Sequence, residues 1–75
     1  MNYTIASFEE VQGNCQMDLE KDGNKYQIYF TDGTESKFRK FDSIDEAFKK
    51  FTEMSEYMVK GLYSNKDRMK LLMEG

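Results

Sequence analysis

The stretch that decides the fold is Cys15-Gln16-Met17-Asp18-Leu19-Glu20-Lys21-Asp22-Gly23-Asn24-Lys25-Tyr26-Gln27-Ile28-Tyr29-Phe30. Two runs in it alternate apolar and polar residues, the period of a strand with one buried face. If Asp22 and Gly23 form a two-residue hairpin turn, Glu20 falls opposite Lys25, Leu19 opposite Tyr26, Met17 opposite Ile28 and Cys15 opposite Phe30. That register collects Cys15, Met17, Leu19, Tyr26, Ile28 and Phe30 on one side. Gln16, Asp18, Glu20, Lys25, Gln27, Tyr29 and Thr31 fall on the other. The segment therefore predicts an antiparallel hairpin at the centre of a half-buried sheet.

Upstream, Asn2 to Phe8 is rich in β-branched and aromatic residues and predicts a first strand, reversed through Gln12-Gly13-Asn14. A bulge could carry that strand on to Val11. Downstream, a three-residue loop of Thr31-Asp32-Gly33, with Gly33 left-handed, sets Tyr26 opposite Phe38 and Ile28 opposite Ser36. A further strand is then expected at Thr34 to Lys40.

Ser43 with Glu46 three residues on is a capping box, in which each side chain satisfies the other's free backbone donor. From there Ile44, Ala47, Phe48, Phe51, Met54, Met58 and Leu62 recur at helical spacing. The acid-first pairs Asp45 with Lys49, Glu46 with Lys50 and Glu56 with Lys60 give that helix a solvated back. Beyond Lys60 two continuations compete. Either Gly61 ends the helix and Ser64 caps another, or the helix runs on. In the second case Ile44, Phe48, Phe51, Ser55, Met58, Leu62, Asn65, Met69 and Leu72 form a coiled-coil seam.

Together these readings predict one α+β domain over residues 1–75. Residues 1–41 form a four-stranded, mostly antiparallel meander, 43–60 a main amphipathic helix on one sheet face, and 64–74 a short second helix or the continuation of the first. The expected core is Ile5, Met17, Leu19, Tyr26, Ile28, Phe30, Phe38, Phe48, Phe51 and Met58.

Composition narrows the chemistry. The 75 residues carry a formal charge of −3, one cysteine and no histidine. A lone Cys15 closes no intramolecular disulfide, and without histidine there is neither a nitrogen ligand for zinc nor the commonest general base. Gly13, Gly23 and Gly33 sit in separate reversals, so they make no phosphate loop. These absences point to a protein that is not an enzyme and uses no metal or cofactor. No apolar run reaches the roughly 18 residues of a membrane span and no secretory leader is visible, which predicts a cytoplasmic protein. Residues 1 to 24 set Glu9, Glu10, Asp18, Glu20 and Asp22 against Lys21 alone, whereas Lys25, Lys37, Arg39 and Lys40 make the next segment basic.

A chain with five tyrosines, six phenylalanines and six methionines carries more apolar surface than so small a core needs. The expected function is therefore binding of another protein, by a small acidic inhibitor or adaptor of the phage or mobile-element kind acting on a larger host protein. Tyr57, Met58, Leu62, Tyr63, Met69 and Leu72 are the expected contact residues, since methionine repacks readily and tyrosine supplies area at low entropic cost. One alternative is nucleic-acid binding through Lys25, Tyr29, Lys37 and Arg39 on the polar sheet face. Another is a homodimer joined along the C-terminal helical seam. The junction Phe41-Asp42-Ser43-Ile44-Asp45-Glu46-Ala47, set between strands and a helix over residues 15–60, resembles the small DNA-binding domains that open some phage integrases. That resemblance implies DNA binding, although those domains are basic and this chain is acidic.

Overall fold

The computed structural model describes residues 2–10 and 14–74. Four strands, β1 (Asn2–Glu10), β2 (Cys15–Asp22), β3 (Lys25–Thr31) and β4 (Ser36–Phe41), precede two helices, α1 (Ile44–Val59) and α2 (Asn65–Met73). The strands form one antiparallel sheet in the order β1-β2-β3-β4, and both helices pack on the same face of it. This is the α+β meander expected. The Gln12-Gly13 part of the first reversal, and any strand continuation to Val11, lie outside the described residues.

The central hairpin turns one step later than expected. Asp22 pairs with Lys25, so the loop is Gly23-Asn24, and Gly23 at φ +63° supplies the left-handed residue that a tight hairpin needs first. The register thereby moves by two residues, setting Met17 opposite Phe30 and Leu19 opposite Ile28. An even shift leaves every side chain on its expected face, and all four of these are fully buried. Tyr26 is half-buried at the margin, with the Lys21 ammonium 4.7 Å above its ring.

The next reversal shifts by an odd number. Residues 32–35 form the loop and Thr31 pairs with Ser36, one loop residue more than expected. Asp32 makes that length favourable, because its Oδ1 accepts the backbone N–H groups of Thr34 at 2.8 Å and Glu35 at 2.7 Å. Those bonds, Glu35's first, hold the Asp32 carboxyl below its usual range. The support they give the loop is present above the ordinary carboxylate pKa and is lost as pH falls through the depressed value. The three-residue change of register turns β4 over. Tyr26 now faces Phe41, which is buried, while Phe38 points outward and is 54% exposed instead of lying in the core.

Two further residues leave the expected core. A register shift between Thr4 and Ala6 makes Ile5 the extra residue of a bulge, and it is exposed. On α1 the buried arc is Ala47, Phe51, Met54 and Met58. Phe48 follows Ala47 by about 100° around the helix and turns to the flank, 53% exposed. Phe41, Ala47, Met54, Met69 and Leu72 complete the interior instead.

Helix boundaries follow local chemistry. Ser43 accepts the Glu46 N–H at 3.2 Å and Ser64 accepts that of Asp67 at 3.1 Å, both as N-caps. α1 ends in a Schellman motif, with the Gly61 N–H donating to the Met58 carbonyl at 3.2 Å and the Leu62 N–H to that of Tyr57 at 2.8 Å. Gly61 sits at φ +67°. The helix therefore breaks, and the alternative of one continuous rod does not hold. Gly61→Ala should lower the unfolding free energy by roughly 1 to 2 kcal/mol, the cost of a left-handed backbone with a Cβ, since the added carbon itself meets nothing within 4 Å. Urea denaturation checks this, with Gly61→Asn expected to lose less.

Candidate functional site

The residues expected to bind a protein divide between interior and surface. Met58, Met69 and Leu72 are core side chains, because the break at Gly61 folds α2 back over the sheet. They cannot form a seam between copies. Leu62 and Tyr63 remain exposed at the helix-helix turn, and Tyr57, half-buried, meets the Tyr63 ring edge-on at 5.0 Å.

The four residues considered for nucleic acid are not brought together. Lys25 and Tyr29 lie on the open sheet face, whereas Lys37 and Arg39 fall on the helix side because β4 is turned over. Lys25 is ion-paired with Asp42, and its hydrogen bond holds that carboxyl below the usual range. Tyr29 bonds Ser36 through its hydroxyl at 2.9 Å. Arg39 donates to the carbonyls of Leu72, at 3.1 Å, and Glu74, and its guanidinium lies 4.8 Å from the Phe41 ring centre. Its task is to close the C-terminus of α2.

Sequence reasoning did not single out Arg68, the most heavily bonded side chain of the molecule's interior. Only 4% exposed, it donates from Nε to the Leu62 carbonyl at 2.9 Å and from Nη2 to the Tyr57 carbonyl at 3.4 Å. Its Nη1 reaches Glu10 at 3.2 Å, Asn65 at 3.1 Å and the Cys15 sulfur at 3.6 Å. One guanidinium thus ties β1, β2, the end of α1 and the start of α2 together, a use for which its planar fork of donors suits arginine. The available signal was residue type: Arg39 and Arg68 are the only arginines among eleven basic residues, and both hold backbone carbonyls across elements.

Burial, and then the neighbouring Glu10, push the Cys15 thiol up from its ordinary pKa, so the sulfur stays protonated and weakly nucleophilic. Among the described residues every buried side-chain polar atom has a partner, and no group of three carboxylates or thiols stands ready for a metal. No helix among them is long and apolar enough to cross a membrane.

What stays open is surface. The face of the sheet away from the helices carries rows of paired side chains, among them Ser7, Asp18, Tyr29 and Phe38 from four successive strands. On the helix side, α2 occupies one flank of α1, where Lys50 donates to the Leu71 carbonyl at 3.0 Å and Arg68 to that of Tyr57. The opposite flank carries Ile44, Phe48 and Val59, all exposed. The chain matches no known protein family, curated protein or solved structure. Its function is therefore read from these surfaces.

Proposed function

We propose that the protein is a non-catalytic protein-binding module, a small acidic inhibitor or adaptor that acts by covering the surface of a larger partner. The observation that carries this reading is the uncovered flank of α1. Ile44, Phe48 and Val59 follow one another along the helix, and Val59 is 70% exposed although the core beneath it is closed. Burial of large apolar side chains such as these gives about 1.5 to 3 kcal/mol each, and a row of them on a rigid helix is a ready anchor for association. The absence of histidine, the protonated buried thiol and the structural commitment of both arginines favour binding over catalysis.

The test is a paired substitution, Phe48→Asp with Val59→Asp. Both positions are exposed, so the variant should unfold cooperatively within about 1 kcal/mol of the parent. It should nonetheless lose the protein that the unsubstituted chain retains from an extract of the cells that make it. Retention unchanged by the pair, or no retained protein at all, would defeat the proposal.

A further inference from the structure

We infer that the free edge of β1 accepts an extended, basic segment of the partner as a fifth strand, beside the four of the sheet. This rests on the protein-binding reading and specifies where and with what chemistry the contact is made.

The two edges of the sheet are built differently. β4 carries Lys37, Arg39 and Lys40, the cations with which natural sheets discourage further pairing, and α2 packs against it. β1 is nine residues long and contains no lysine, arginine or proline. Its one irregularity is the bulge at Ile5, beyond which Ala6 to Glu10 pair regularly with β2. On the other side of that stretch the described residues place no strand, so its outward N–H and C=O groups are available for main-chain bonds.

Charge names the occupant. On the open face next to this edge lie Glu9 of β1 and Asp18 and Glu20 of β2. Among the described residues none of the three meets a cation: Asp18 accepts from Ser7 and Gln16, and Glu20 from Gln27. Lys21, the one basic residue of β1 and β2, is on the helix side with Tyr26. Lysine or arginine at alternate positions of an added strand would therefore lie beside Glu9 and reach across β1 toward Asp18 and Glu20, about 10 Å away on β2.

The residues between would face the helix side. Arg68 links Glu10 to the carbonyls of Tyr57 and Leu62, which sets the end of α1 over that end of β1. Val59 and Leu62 are exposed there, so the intervening positions suit valine, isoleucine or phenylalanine. The occupant is a strand alternating basic and β-branched or aromatic residues.

The probe is a set of synthetic ten-residue peptides with lysine or arginine at every second position and valine, isoleucine or phenylalanine between, alongside analogues with glutamate at the basic positions. With the intact protein, the basic peptides should bind and slow amide exchange at Ala6 to Glu10. Glu9→Lys with Asp18→Asn should weaken that binding about tenfold or more, and the glutamate analogues should not bind. Failure of every basic peptide, or exchange changes confined to α1, would overturn the inference. So would concentration-dependent dimerisation in sedimentation that the same substitutions abolish, because the edge would then serve a second copy. If the basic peptides fail while the Phe48 and Val59 pair still releases a captured partner, the strand-addition inference falls and the protein-binding reading survives. A wild-type chain that captures nothing defeats the latter.

Discussion

Arg68→Ala is expected to cost about 3 to 5 kcal/mol of unfolding free energy, most of the margin of a domain this small. The guanidinium is 4% exposed, and its removal takes the cation from the Glu10 carboxylate and the side-chain donor from the Leu62 carbonyl, and leaves the Tyr57 carbonyl with the Leu62 N–H alone. A truncated partner in a buried ionic network costs more than the intact network contributes, because the remaining charge is stranded. Arg68→Lys should recover only part of the loss, since an ammonium cannot serve carbonyls and a carboxylate lying in different directions as the planar fork does. Urea denaturation followed by circular dichroism measures both. A midpoint for Arg68→Ala equal to that of the parent would show that this cluster does not hold the helices to the sheet.

Two phenylalanines that look alike in the sequence should behave oppositely. Phe30→Ala should destabilise by about 3 to 5 kcal/mol, because the side chain is fully buried opposite Met17 and its loss leaves a cavity beneath both helices. Phe48→Ala should change stability by no more than about 0.5 kcal/mol, the usual effect of a surface substitution. Equal losses at the two positions would place Phe48 in the core after all and remove the anchor on which the proposed function stands.

Several elements were legible because their signals are local. The Ser43 cap and the Ala47, Phe51, Met54 and Met58 part of the apolar stripe depend on residues within a turn or so of one another, whereas the Gly61 stop and Ser64 cap were legible only as one of two continuations, and Ile44, Phe48 and Leu62 of the stripe are exposed. The hairpin of β2 and β3 was legible in a coarser sense. Its turn was misplaced, yet the face of every residue survived, since side chains on a strand repeat every second position.

β4 shows where such reading stops. Phe38 and Phe41 are three apart, so on a strand they must face opposite ways, and nothing in Ser36–Phe41 says which one turns inward. The length of the preceding loop decides, and Asp32 sets that length by taking two backbone donors. The same odd shift removed Lys37 and Arg39 from the open face and dispersed the nucleic-acid candidates. Arg68 was illegible for a different reason. Its ionic partner, Glu10, is 58 positions away, and no periodicity joins residues so distant.

The order of the amino acids by itself determined the four strands, the start of the main helix at Ser43 and the apolar side of the central strands, because these follow from dihedral preferences and short-range spacing. Only the tertiary structure decided which way β4 faces, that the helix breaks at Gly61 and α2 folds back to bury Met69 and Leu72, and which apolar residues are left outside. Those outcomes depend on how much covered area remains once the other elements have packed, a sum over distant contacts that no local stretch of chain contains.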